Sequence, residues 1–143
     1  MLTVQNIMST NLFTMKQTDT LDLAQGLMSL KHIRHIPIVD NHRRFIGLIT
    51  HRDLLRISIS TLENFYVQKT KTAFQKTHVR DVMQKNVTVI HPDSILKSAA
   101  DILLKNKFGC LPVVDQKTNE LVGIITEADF VTFAAQKEIQ TSL

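Results

Sequence analysis

Cysteine, proline and glycine are scarce in this chain, with 1 Cys, 3 Pro and 4 Gly among 143 residues. A single thiol, Cys110, excludes an intramolecular disulfide, so packing must hold the fold together and the cytoplasm is the expected compartment. Little Gly and Pro beside 43% hydrophobic residues excludes collagen-like, disordered and low-complexity classes. Long apolar runs are missing too. Stretches such as Leu121 to Ile125 are far too short to cross a bilayer, and the start of the chain has no basic segment followed by a long apolar one, so neither a membrane span nor a targeting segment is expected. No Gly-x-x-x-x-Gly-Lys-Ser/Thr loop, Gly-x-Gly-x-x-Gly turn or His-Glu-x-x-His pair occurs, which leaves catalysis without a visible carrier. Neither sign of charge dominates: 17 Lys+Arg against 13 Asp+Glu give +4, a mild preference for anionic ligands. The length suits one compact domain.

What the chain does have is a duplication. Val4-Gln-Asn-Ile-Met8 matches Val79-Arg-Asp-Val-Met83, and His35-Ile-Pro37-Ile-Val-Asp40 matches Cys110-Leu-Pro112-Val-Val-Asp115, both at an offset of 75 residues. Phe45-Ile-Gly47-Leu-Ile-Thr50-His-Arg-Asp53 matches Leu121-Val-Gly123-Ile-Ile-Thr126-Glu-Ala-Asp129 at an offset of 76, which puts one inserted residue in the turn between the matched strands. The repeats are assigned to 1–60 and 78–143, with a connector at 61–77.

Each copy predicts the same run of elements. A short helix near Val4–Met8 or Val79–Met83 precedes a brief strand at Leu12–Met15 or Val87–Ile90. Leu21, Ala24, Leu27 and Met28, and in the second copy Ile95, Ala99, Ile102 and Leu103, have the spacing of a helix with one buried face. Asp19 and Asp93 are the expected caps of these helices. Strands follow at Pro37–Val39 with Phe45–Ile49, and at Pro112–Val114 with Leu121–Ile125, apolar enough for both faces of a sheet to be covered. Closing helices start near His51 and Glu127. Ser58–Thr77 is expected to hold the tail of the first closing helix and a solvated connector. A lone copy buries its sheet poorly, so the halves are expected to pack about a pseudo-twofold axis, with a ligand site at their interface.

The chemistry concentrates in Thr50-x-x-Asp53 and Thr126-x-x-Asp129, each where a strand gives way to a helix. Two readings stand. In the structural one, Thr and Asp form a capping box, the Asp carboxylate reaching back to the Thr N–H. In the functional one, the helix N–H groups and the Thr hydroxyl receive a phosphate, while the acceptor-only Asp carboxylate takes the hydroxyl protons of a ribose diol. Gly47 and Gly123 would let a sugar or base approach the strand, and Pro37 and Pro112, lacking an N–H, would leave neighbouring backbone groups free for a base edge.

This paired pattern resembles a tandem CBS (cystathionine-beta-synthase-type) domain pair, or Bateman module, over all of the chain except the connector and the last few residues. The resemblance implies an α/β (α+β) fold of two β-α-β-β-α repeats packed through their sheets, two clefts between the repeats, and a sensing, non-catalytic role. It implies AMP, ADP, ATP or S-adenosylmethionine as regulatory ligand, with no required cofactor or metal. By the same resemblance Thr50 and Thr126 meet phosphate, Asp53 and Asp129 hold ribose, and the backbone around Ile36 and Pro37, and around Cys110, Leu111 and Pro112, reads adenine. One cleft would combine Thr14 and Ile33–Ile36 with Thr126 and Asp129. The other would combine Val89 and Phe108–Leu111 with Thr50 and Asp53. The first is favoured, for the extra hydroxyl of Thr14 and for Arg34 and His35.

Arg34, His35, His51 and Arg52 are candidates to neutralise a polyphosphate. Their structural alternatives are a helix C-terminus for Arg34 and His35, and a solvated first turn for His51 and Arg52. His32 and His35 lack a third metal ligand, and Cys110 reads as a core residue. Met8, Met28 and Met83 read as packing. A homodimer and a regulated partner protein are expected. A ligand-free homodimerisation module is the alternative function. The basic run Lys69, Lys71, Lys76, His78 and Arg80 with Phe65, Tyr66 and Phe74 makes nucleic-acid binding a lesser alternative.

Overall fold

A computed structural model describes residues 1–62 and 67–142, with side chains over 1–59 and 71–137. Phe65, Tyr66 and the side chain of Lys69 lie outside the described residues. The chain forms two compact units, one of residues 13–87 and one of residues 1–12 with 88–143. Repeat in sequence and unit in space are therefore different divisions: each Val-x-x-x-Met segment joins the unit built around the other copy's hairpin.

In the unit 13–87, α1 (Leu21–Lys31) leads to β1 (His35–Val39), β2 (Phe45–Thr50), α2 (His51–Leu62) and α3 (Val67–Lys76). β1 and β2 pair antiparallel, His35 opposite Thr50 and Pro37 opposite Leu48. The predicted early strand shrinks to one parallel bridge, Met15 to Ile38. On the far side of β2, Gln84 exchanges backbone hydrogen bonds with Leu48 at 2.7 and 2.9 Å. The core is Leu21, Ala24 and Met28 of α1 against Ile36, Ile38 and Ile49 of the sheet, with Leu54, Phe74 and Val79. Leu27, predicted for the same helical face, is partly buried. Met83 packs against this core from its partly buried position.

The unit 1–12 with 88–143 repeats the plan with α4 (Leu96–Lys105), β3 (Cys110–Val114), β4 (Leu121–Thr126) and α5 (Glu127–Ser142). β3 and β4 pair with Cys110 opposite Thr126, and the single parallel bridge is Ile90 to Val113. Ser9 takes the place of Gln84, exchanging backbone hydrogen bonds with Ile124 at 2.8 and 3.0 Å. Val4, Ile90, Ala99, Leu103, Leu111, Val113 and Ile125 form the core. β3 is buried throughout, whereas β4 alternates between buried and half-buried positions.

Several sequence expectations are corrected. The caps are displaced by one or two residues: Thr20 precedes α1, and Asp19 instead accepts the Lys16 N–H at 2.8 Å in the preceding turn. Thr20 donates its hydroxyl to Asp22. Ile95, not Asp93, precedes α4, and the turn before it is held by Ser94 Oγ, which accepts the His91 N–H at 3.3 Å. Ile95 lies outside the helix, 44% exposed, and bridges to Thr3; Leu96 takes the core-facing position. The solvated connector is α3 over much of its length, anchored by Phe74 at 2% exposure. Burying that ring contributes on the order of 2 kcal/mol, enough to hold an otherwise polar helix to the core.

Candidate functional site

The last residue of β2 is Thr50, and the helix that follows carries Asp53 in its first turn. The backbone N–H and the hydroxyl of Thr50 both donate to Asp53 Oδ2 at 2.9 Å, while the Asp53 N–H donates to Thr50 Oγ1 at 3.2 Å. The structural reading of Thr-x-x-Asp is thus realised here as a reciprocal capping box. The remaining oxygen, Oδ1, accepts Gln84 Nε2 at 3.0 Å and lies 3.7 Å from the Arg56 guanidinium. Asp53 is 3% exposed and Thr50 7%.

The second corner has the same plan and a different finish. Asp129 Oδ2 accepts the Thr126 N–H at 2.8 Å and the Thr126 hydroxyl at 3.3 Å. Its Oδ1 accepts the hydroxyl of Ser9 at 3.0 Å. Here Asp129 and Thr126 are half-buried and Ser9 is exposed. Ser9 and Gln84 are the site residues that sequence reasoning missed. Both follow the repeated Met at the 75-residue offset, the one signal that could have singled them out.

The two glycines do a different job from the one expected of them. A Cβ on Gly47 would lie 2.5 Å from Met83 Sδ, and one on Gly123 would lie 2.5 Å from Met8 Sδ. Gly47 and Gly123 make room for the neighbouring methionine, not for a sugar. The carbonyls of the two prolines have partners within the chain. Pro37 O accepts the Met15 N–H at 3.1 Å and Pro112 O accepts the Ile90 N–H at 3.0 Å, so these carbonyls are already paired. The side chains of Ile36, Pro37, Cys110, Leu111 and Pro112 are all buried. Burial pushes the Cys110 thiol up to about 12, which makes it an inert core residue and not a nucleophile.

Thr14 is half-buried in the unit 13–87, as is His35, which faces Thr50 across the hairpin. Arg34 and His35 do not close a helix: α1 ends at His32, left-handed at φ 55°, and Ile33 N–H bonds back to Met28 O at 3.1 Å. The carbonyl of Arg34 accepts the His51 N–H at 2.8 Å. Arg34, His51 and His32 line a groove of about 720 Å³ with Asp22, Leu54 and Leu55, beside α1 and α2. Arg52 is exposed on the first turn of α2. Among the described residues no three His, Cys, Asp or Glu side chains converge as a metal site would require, and no helix is long and apolar enough to cross a membrane.

The family model described as CBS domain matches this chain twice, over residues 4–60 and 79–135. A CBS domain-containing protein of Dictyostelium discoideum is 31% identical over 131 residues, spanning 90% of this chain and 88% of that protein. Three longer curated relatives, two of them carrying enzyme names, are spanned over only 41%, 24% and 21% of their own lengths. Among solved structures, one described as an acetoin utilization protein (AcuB) from Vibrio cholerae has a TM-score of 0.83 and 38% identity, covering 100% of this chain and 98% of that one. CBSX2 in complex with AMP has a TM-score of 0.81 and 28% identity, covering 96% and 99%.

Proposed function

Because this chain belongs to the CBS domain family, we propose that it is a non-catalytic regulatory module. It binds an adenosine-containing ligand, AMP, ADP, ATP or S-adenosylmethionine, and signals occupancy to a partner protein in the cytoplasm. The observation that carries this reading is the Thr-x-x-Asp corner, present twice at a strand-to-helix junction in a chain alike along nearly its whole length to a protein crystallised with AMP. At each corner the start of a helix supplies a partial positive charge for phosphate, with the Thr hydroxyl beside it. The carboxylate one turn on accepts sugar hydroxyls, and the backbone around Pro37 and Pro112 remains the candidate for adenine. Arg34, His35, His51 and Arg52 are the candidates to meet further phosphates, with Thr14 as an added hydroxyl. The hydroxyls of Thr50 and Thr126 both donate to their own Asp, so a phosphate must draw the Thr hydroxyl away from that carboxylate. That exchange is the local switch.

Isothermal titration of the intact chain with the four ligands tests the proposal, on protein shown to be free of carried-over nucleotide. Binding should also raise the unfolding temperature, the added stability being about 2.7 kcal/mol at a hundredfold excess over Kd. No heat with any of the four would refute it.

A second reading, a homodimerisation module, is favoured by one observation: Leu23 and Leu30 on α1, and Leu55 and Ile59 on α2, are 48% to 73% exposed. It coexists with ligand binding and is tested by light scattering. A monomer at all concentrations removes it.

A further inference from the structure

In the unit 13–87, α3 packs against α1 and α2 and completes the core with Phe74. The unit 1–12 with 88–143 is built on the same frame. The Leu21 N–H donates to Thr77 O at 3.0 Å, and 75 residues on, the Leu96 N–H donates to Leu2 O at 3.2 Å. Leu96 stands in the place of Leu21, and Phe130, at the offset of 76, in the place of Leu54. No described residue of this second core corresponds to Phe74. The effect is visible in the neighbours of the missing ring: Leu21 and Leu54 are 0% and 3% exposed, whereas Leu96 and the larger Phe130 are only half-buried. Along the same side of α4, at four-residue intervals, Leu96 is followed by the half-buried Ala100 and by Leu104, 85% exposed, where α1 has Gln25 and Ser29. The chain thus contains one helix-covered apolar face and one uncovered counterpart.

We propose that the face of α4 and α5 around Leu96 and Phe130 is a docking slot for an acidic amphipathic helix of a partner protein, anchored by one aromatic side chain as α3 is anchored by Phe74. The covered face supplies the template for shape, and charge selects the partner. The helix α3 carries Lys69, Lys71 and Lys76 and no acid, and α1 beside it has Asp22 in its first turn. In α4 the position of Asp22 is held by Lys97, and the first turn has no acid. That lysine and the positive end of the helix favour carboxylates. Lys97 pairs with Asp101 at 2.8 Å, but both groups are exposed, and such a pair is weak enough to yield to a partner's carboxylate. A second copy does not supply the helix, because its own α3 has the wrong sign for this slot and is already seated. The slot is independent of nucleotide binding and goes beyond that reading.

The test uses three synthetic peptides and the intact chain without nucleotide. One peptide has the sequence of residues 67–76, one the same sequence with its three lysines changed to glutamate, and one that acidic sequence with its Phe changed to Ala. All are cross-linked into helical form, because ten residues alone make a marginal helix. Titration followed by NMR should show the acidic peptide binding one to one and shifting the amide signals of Leu96 and Phe130. Its Phe→Ala form should bind about thirtyfold more weakly, the worth of one buried ring. The basic peptide should bind more weakly than the acidic one, and Lys97→Glu, a surface change, should reverse that order. No shift with the acidic peptide would overturn the proposal, as would binding indifferent to the Phe, to peptide charge or to Lys97→Glu, or shifts confined to residues 13–87. Self-association that moves the Leu96 and Phe130 signals with protein concentration alone would also overturn it, by making a second copy the occupant.

Discussion

Asp53→Ala and Asp129→Ala remove the same group from the same motif, and the structure makes their costs differ. Both delete a helix cap, worth about 1 kcal/mol. Asp53→Ala also strands donors that have no water to turn to. The Thr50 N–H and hydroxyl point at the lost Oδ2 in a corner 3% to 7% exposed, and the Gln84 amide loses its acceptor. A buried donor left without a partner costs about 1–3 kcal/mol, so Asp53→Ala should destabilise by about 2–4 kcal/mol in all. At the half-buried Asp129 corner water replaces the carboxylate, and the loss should stay near 1 kcal/mol. Urea denaturation followed by circular dichroism measures both, as shifts in midpoint at unchanged m. Because two compact units can unfold separately, amide exchange at Ile49 and Ile125, in β2 and β4, assigns each loss to its unit. A cost for Asp129→Ala equal to or above that for Asp53→Ala would refute the argument from burial.

Three other outcomes are expected. Gly47→Ala should cost about 1–3 kcal/mol by pushing a Cβ against Met83, and Gly47→Ala with Met83→Ala should cost less than the sum of the two, as a denaturation cycle would show. Cys110 should react with a thiol reagent at pH 8 only as fast as the chain unfolds, since burial holds its thiol neutral up to about 12; prompt labelling of the native chain would contradict this. In the β1–β2 and β3–β4 turns, backbone N–H groups of Arg44 and His42 lower the Asp40 carboxyl, and those of Thr118 and Lys117 lower Asp115. A lowered folded-state value means stability fully present above the ordinary carboxylate range and lost as pH falls through the folded value. Asp40→Asn and Asp115→Asn should therefore flatten the acid limb of the stability profile below about pH 4, and an unchanged limb would argue against it.

How far the sequence was legible follows from the range of each interaction. The hairpins, the closing helices and the Thr-x-x-Asp corners rest on contacts between near neighbours, so the duplicated spacing located them. Thr20 against Asp19 was not decidable, because both residue types cap helices and only the backbone path chooses between them. Phe74 is the one large apolar residue in the described α3 sequence that a core contact could single out, and a stripe that narrow gives almost no helical periodicity. Ser9 and Gln84 meet their carboxylates from 120 and 31 residues away. No local pattern reports such a partner. The glycines were misassigned for the same reason, since the methionine that needs the space is distant in the chain.

The joining of residues 1–12 to 88–143 orders the events of biosynthesis. Residues 1–12 have to wait for Ile124, the residue that meets Ser9 and is translated well over a hundred positions later, whereas the unit 13–87 has everything it needs once Gln84 has left the ribosome. Closing so long a loop is slow. The nascent chain should thus carry one finished unit and one open β4 edge until residues 1–12 return to cover it, which makes that segment the piece whose removal would expose the edge to aggregation.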